Sequence, residues 1–378
     1  IAPGKLLFVT RGDQGAHIIL GDTPASVPAV PVTVRDPTGM GDAFCGTTLA
    51  FLLQKHHPIM AAHRGAALAA EMMGEVGPAA LLSGAAPPAV RLDPRVRVDE
   101  ERVRRVADTI ASAPEAPPYP WVGPTLPPVG HPKALDYLFA ATLHQFSFWT
   151  TRNNRYHLPL IAPIDGVERK GSDYLWASIT RRLERDPEFC LPERQADLRR
   201  EDLLAVFRSD DGQDPMPALD LHLEQARRYG RDMLALQLTP QTALDRALAS
   251  QQPLDTFLLI LDHIGGYKED PLRKKSTLLA LGLSNRPERF FPLPGDQALA
   301  PIMDYHIMRA SLRMGLIEVL DGDLRTKLID RRVVSAAEEW AVRYPAYLAY
   351  DLLGAESGRS SSDLNGFMFG IARHRCPE

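Results

Sequence analysis

The sequence predicts a mostly α fold, in which a helical domain follows a small α/β piece. Three observations predict it. From residue 134 onward, apolar residues recur at three- and four-residue spacing in segment after segment, the period of helices with one buried face. Before residue 85, two short apolar runs flank a glycine turn, and a second glycine-rich loop opens an apolar helical stretch. Between these regions, eight prolines fall within the 19 residues from Pro114 to Pro132, through which neither a helix nor a central strand can run. The expected divisions are 1–85, 86–133 (a proline-rich linker with a short helix) and 134–378.

Composition bounds the function. A chain of 378 residues has room for two to three domains of roughly 150 residues each. Its 33 prolines are about twice the usual share of roughly 5%. With 45% hydrophobic residues, that excess marks a place in the chain rather than disorder. A net charge of −4 lacks the basic bias of a polyanion binder, so no stable nucleic-acid binding is expected. Cys45, Cys190 and Cys376 lie far apart, which excludes a zinc ribbon or a disulfide framework. No apolar run approaches the ~20 residues of a membrane span, and no secretory signal is visible, so a cytoplasmic protein is expected. His56, His57 and His63 lack partners at ligand spacing and are expected on a solvated surface, with no metal and no cofactor.

In order along the chain, Lys5 to Arg11 and Gly15 to Leu20 read as buried strands joined by Gly12-Asp13-Gln14-Gly15. Residues 98–112 read as a short charged helix. Ser83 to Asp93, with Pro87, Pro88 and Pro94 close by, is loose. The proline segment should be extended, and Tyr119 and Trp121 should pin it across a domain surface. Helices follow from Ala134 to Leu143, and from Ser172 to Leu183 with Ser172 as a plausible N-cap. Further helices are expected over 203–207, 219–236, 242–248, 254–264, 272–281 and 302–320. Ser335-Ala-Ala-Glu338 is a capping-box signature that opens the last long helix. Tyr156 to Ile161 is the best strand candidate beyond residue 134.

Several clusters carry chemistry. Asp36-Pro-Thr-Gly39-Met-Gly41-Asp42 precedes a helix, where converging N–H groups favour an anion and an aspartate could take a proton from a hydroxyl. These residues resemble the C-terminal signature of ribokinase-like (pfkB) sugar and nucleoside kinases. The resemblance implies that Gly39 and Gly41 form an anion hole and that Asp42 is the base, and it covers only about residues 5–80. Lacking the rest of such a kinase, the piece is expected to be vestigial, a retained packing module. Phe146-Ser-Phe148-Trp149 sets three aromatics at a helix end, where they can face a cavity. Phe207-Arg208-Ser209-Asp210 ends an amphipathic helix. Met303-Asp304-Tyr305 places an acid inside an apolar helical stretch, which is costly unless the acid is paired or functional.

As an ordered set, residues 134–378 resemble the queuosine salvage proteins, queuosine 5′-phosphate N-glycosidases. The matching pieces are Phe146-Ser-Phe-Trp149, Gly171-Ser-Asp-Tyr-Leu-Trp176, Phe207-Arg-Ser-Asp210 with Met216-Pro217, Arg273-Lys-Lys275, Met303-Asp304-Tyr305 and the tail Arg373-His-Arg-Cys376. The chain departs from the family at Gln145, before Phe146, and at His306, after Tyr305. The resemblance implies a fold similar to helix-hairpin-helix DNA glycosylases, with Ile264-Gly-Gly-Tyr267 as a faint hairpin.

It also implies a small-molecule nucleotide substrate, queuosine 5′-monophosphate, whose N-glycosidic bond is hydrolysed to release queuine for tRNA modification. A 7-deazaguanine has no N7 to protonate, so the enzyme must stabilise positive charge on the sugar and orient water. Asp304 is the expected catalytic carboxylate. Phe146, Trp149 and Tyr305 are candidates to stack on the base, Asp210 to read its edge, and Lys274, Lys275 and Arg309 to hold the phosphate. The competing readings are a sugar or nucleoside kinase using Asp42 and a non-catalytic nucleic-acid-binding module.

Overall fold

The computed structural model describes residues 5–74, 76, 93–115, 118–293 and 299–374. The loose stretch expected from Ser83 falls outside them as far as Leu92, and so do the side chains of the tail Arg373–Cys376.

The N-terminal piece is an antiparallel sheet of β1 (Leu6–Thr10), β2 (Ala16–Leu20) and β3 (Thr23–Val27), in that order, under α1 (Met40–Leu53) and α2 (Pro58–Met73). The β1–β2 turn is the glycine turn expected, with Gly12 at φ 59° and Gly15 at φ 84°. A Cβ on Gly15 would lie 2.1 Å from the Val27 carbonyl, so no larger residue fits there. The expectation of two buried strands needs correcting. Ala16, Ile18 and Leu20 of β2 face Phe44 and Ile59, whereas Leu7 and Val9 of edge strand β1 are exposed. β3 was not foreseen, because Pro24 breaks the apolar pattern. Pro24 is tolerated because β3 is the other edge strand.

Residues 93–111, expected within a linker, are built into the helical domain. β4 (Val96–Val98) pairs with residues 317–319, and α3 (Glu100–Ala111) lies along the long helix 336–357. Asp99 caps α3 by accepting from the Arg102 N–H at 2.8 Å. The proline segment is pinned by Trp121, whereas Tyr119, expected to share that role, is 58% exposed. Trp121 is 5% exposed and meets Trp176 edge-on at 5.8 Å. The fully buried Arg286 donates to the carbonyls of Trp121, Pro127 and Pro128 at 2.9, 2.6 and 2.9 Å.

Next come α4 (Ala134–Thr142), the hairpin β5 (Trp149–Arg152) and β6 (Arg155–Pro159), and the hairpin β7 (Ile161–Ile164) and β8 (Val167–Lys170). The single strand candidate over 156–161 is thus one part of four short strands, split at Leu160, whose N–H bonds back to Phe148. The helices continue as α5 (Ser172–Arg185), α6 (Pro192–Ala196), α7 (Arg200–Val206), α8 (Leu219–Ala235), α9 (Pro240–Leu248), α10 (Pro253–Leu261) and α11 (Lys274–Asn285). Then follow α12 (Tyr305–Met314), β9 (Ile317–Val319), α13 (Gly322–Ile329), α14 (Ala336–Ser357) and α15 (Ser361–His374). The chain is mostly helical, with the small strand-bearing piece in front.

Two boundaries need correcting. Ser172 is not a cap: α5 starts after Gly171 at φ 52°, with no side-chain cap bond. The helix expected over 302–320 is only α12. Asp304 caps its start, and Gly315, at φ 72°, ends it before β9. The capping box at Ser335 and Glu338 opens α14 as predicted.

The helical domain has two cores. One gathers Tyr137, Phe139, Tyr229, Phe257 and Tyr267 from α4, α8, α10 and the loop after it. The other gathers Val103, Met303, Ile307, Ala349 and Tyr350 from α3, α12 and α14, and it includes Met60 of α2. The N-terminal piece is therefore docked on the helical domain. Two of the three histidines expected on a solvated surface, His57 and His63, are also part of this join. His57 is 2% exposed, and His63 stacks on Trp340 at 4.9 Å.

Candidate functional site

The two cores meet at the start of α11, and there the structure collects polar groups. Arg273, the residue before α11, has φ 54°, which turns the chain sharply so that Lys274 and Lys275 open the helix. Asp270 caps this turn, accepting from the N–H groups of Leu272 and Lys274 at 3.1 and 2.9 Å and from Arg343 at 2.7 Å. These donors hold the Asp270 carboxyl down at about 2 despite its burial. Arg343 also donates to the Met303 carbonyl, one residue before Asp304.

Lys274 reaches back to the end of α4 and donates to the Gln145 carbonyl at 2.6 Å. Lys275 donates to the Leu143 carbonyl at 3.2 Å, and its ammonium lies 5.1 Å from the centre of the Phe146 ring. Burial lowers both ammoniums, Lys275 to about 8. Lys274 feels the charges of Asp304, Arg343 and Asp270, and Lys275 that of Glu269. Asp304 is half-buried, and its carboxylate accepts from the Ile307 N–H at 3.0 Å. Burial first, and then the charge of Asp304, raise the Tyr350 hydroxyl, which has no hydrogen-bond partner among the described residues. The structure thus brings Phe146, Lys274, Lys275 and Asp304 into one region.

Phe146 is stacked on His222 of α8, with ring centres 4.1 Å apart and an interplanar angle of 30°. His222 Nδ1 lies 3.2 Å from His144 Nδ1, so one ring donates and the other accepts. Burial drives His144 down to about 3 and His222 well below its ordinary value, which keeps the pair neutral. His222 Nε2 and Gln145 Nε2 are buried polar atoms without a partner among the described residues. Sequence reasoning missed His144, His222, Asp270 and Arg343. The signal for His222 was a histidine on the apolar face of α8, beside Leu219, Leu223 and Ala226.

The other candidates lie apart from this group. Asp210 is at the surface, accepting from the Gly166 N–H and from Arg181, both at 2.9 Å. Its carboxyl is lowered, first by the Gly166 N–H. Phe207, three residues earlier, packs edge-on against His144 and lines a surface cleft of about 370 Å³ with Leu204, Met216 and Leu219. Trp149 is half-buried beneath Arg331, 5.8 Å from its ring centre. Tyr305 lies beside His306, and Arg309, 6.0 Å from the Tyr305 ring, donates to the Ala372 carbonyl. In the N-terminal piece, Gly39 (φ 78°), Gly41 and Asp42 are at the start of α1, on the exposed or half-exposed surface.

Comparison with known proteins agrees with this layout of a small α/β piece on a helical domain. Residues 2–83 match the pfkB family of carbohydrate kinases, and residues 126–271 match the queuosine salvage protein family. The chain is thus similar to the first family over its N-terminal piece and to the second over part of its helical domain. The second match includes Phe146, Trp149, Asp210, His144 and His222 and ends three residues before Lys274. No curated protein matches the chain. Among the described residues, no helix is long and apolar enough to cross a membrane.

Proposed function

We propose that the chain hydrolyses the N-glycosidic bond of queuosine 5′-monophosphate and releases queuine. The observation that carries the reading is the meeting of Asp304, Lys274, Lys275 and Phe146 at the start of α11, in a chain whose residues 126–271 match the queuosine salvage family. Water bonds to C1′ as the bond from C1′ to the base nitrogen breaks. Asp304 stabilises positive charge at C1′ and takes the proton of the attacking water. The base leaves with the bonding electrons and is protonated. That proton comes from solvent.

The acceptors of Lys274 and Lys275 are neutral, namely the carbonyls of Gln145 and Leu143 and the Gln225 amide. Their charge is therefore available to a 5′-phosphate. Phe146 supplies a stacking face, with Tyr305 and Trp149 as further candidates. Asp210 already accepts from Arg181 and Gly166 on separate oxygens, and its remaining lone pairs are what it could offer a base edge. Arg309 can join the phosphate site from the Tyr305 side.

The test is incubation of the protein with queuosine 5′-monophosphate without ATP or metal, following free queuine by mass spectrometry. Release is expected, and its absence across pH 5–9 refutes the reading. A second reading, phosphoryl transfer with Asp42 as base, has the pfkB match over residues 2–83 in its favour. ATP consumption that requires a nucleoside acceptor and Asp42 would support it.

A further inference from the structure

The loop that leads into Lys274 and Lys275 is held from outside the helical domain. Its holder is the turn between α1 and α2 of the N-terminal piece. The Lys55 carbonyl accepts from Arg273 at 2.8 Å. The same guanidinium is clamped by both oxygens of the buried Asp262, at 3.1 and 2.6 Å. Two residues after Lys55, the buried His57 makes a second link. Its Nδ1 accepts from the Ile59 N–H at 3.2 Å and caps α2. Its Nε2–H then donates to the Lys268 carbonyl at 3.1 Å. Lys268, 1% exposed, is itself gripped by Asp22 of the N-terminal piece at 3.1 Å and by Asp232 of α8 at 2.8 Å.

These contacts fall on residues 262–273, directly ahead of the two lysines. Arg273 has φ 54°, a conformation unfavourable for any residue with a Cβ. Its side-chain bonds to Asp262 and to the N-terminal piece oppose that strain. The same turn carries Asp270, which fixes Arg343 and through it the Met303 carbonyl beside Asp304. A shift of this loop would therefore displace both lysines and the carboxylate together.

We propose that the kinase-like N-terminal piece is a positioning element of the helical domain's site, with His57 and Arg273 as its positioning residues. The piece is not a relic, because it supplies the outer half of the clamp that sets the start of α11. This inference rests on the reading of Lys274, Lys275 and Asp304 as the reacting site.

The test uses the full chain. Arg273→Gly removes the clamp without adding strain, since glycine adopts positive φ freely. His57→Ala removes the second link. His57→Gln is the conservative variant, because its amide can accept from Ile59 and donate to Lys268. Amide hydrogen exchange over residues 272–277 and the kcat and KM of queuine release are the readouts. In Arg273→Gly and His57→Ala, exchange over 272–277 should accelerate by about tenfold or more. Their kcat should fall by about 10- to 100-fold, more than KM rises, and His57→Gln should restore both. Wild-type exchange and kcat in a folded Arg273→Gly overturn the proposal, and the same result in His57→Ala overturns it if Arg273→Gly does not fold. If the wild-type chain releases no queuine, the reaction reading fails, while the exchange data still decide whether the clamp exists.

Discussion

Phe146 and His222 form a stacked pair, with ring centres 4.1 Å apart, at the end of α4 and the start of α8. The aromatic expected from sequence to carry a base therefore already has a neutral imidazole against it and an ammonium, that of Lys275, 5.1 Å from its centre. Phe146→Leu keeps the apolar volume and removes the π face. Base stacking on an aromatic contributes about 1–3 kcal/mol, so KM for the nucleotide should rise by roughly 5- to 150-fold with the fold intact. Steady-state kinetics of queuine release measure it, and an unchanged KM removes Phe146 from the binding site.

Asp304 serves as a helix cap and as the proposed reacting carboxylate, and the two roles can be separated. Asparagine is as good an N-cap as aspartate, since its side-chain oxygen also accepts from the Ile307 N–H. Asp304→Asn should therefore melt within a few degrees of the wild type while kcat falls by about 10²- to 10⁴-fold, the usual worth of a positioned base. Full activity in this variant would refute the assignment.

Three buried histidines and the half-buried His63 predict a fold that weakens in acid. His57, His63, His144 and His222 all sit below their ordinary value of 6.5 because burial disfavours the cation, His63 at about 4 and His144 at about 3. Above pH 6.5 they are neutral in the folded and unfolded chain alike and cost nothing. As pH falls below 6.5 the unfolded chain takes up protons that the folded chain refuses, and stability is lost until the folded values are reached. His63→Phe keeps the stack on Trp340 without a titrating group. Between pH 7 and 5 this variant should lose about 2 kcal/mol less than the wild type, as read by urea unfolding at each pH.

The order of helices was legible because each is amphipathic with a plain period. The capping box at Ser335 and the glycine turn at Gly12 and Gly15 were legible because local chemistry dictates them. Asp304 was singled out for the wrong physical reason. It was read as an acid inside a helix, whereas it caps one, and a cap and a buried acid look alike when the residues before it are apolar. His144 and His222 escaped notice because 78 residues separate them and only the tertiary fold brings the segment after α4 against His222 of α8. The role of residues 93–111 was illegible for a similar reason, since β4 finds its partner in β9, more than 200 residues away.

That last pairing decides which part of the chain can be deleted. A proline-rich linker over 86–133 would allow a clean cut, with a chain that begins near Pro114 still active. The structure predicts otherwise. Val96, Val103, Ala107 and Ile110 are all at most 3% exposed and share a core with Met303 and Ile307, the residues that flank Asp304 and form its helix. Arg359 ties the end of α3 to α14 and α15 through the Ile110 carbonyl at 3.0 Å. Burial of each large aliphatic side chain is worth roughly 1.5–3 kcal/mol. Removing Val96, Val103 and Ile110 therefore costs about 5 kcal/mol or more, comparable to the whole stability of a typical domain. A chain beginning at Pro114 should be insoluble or unfolded by circular dichroism and should release no queuine. Wild-type activity in a soluble chain of that length would mean that Asp304 does not depend on this core.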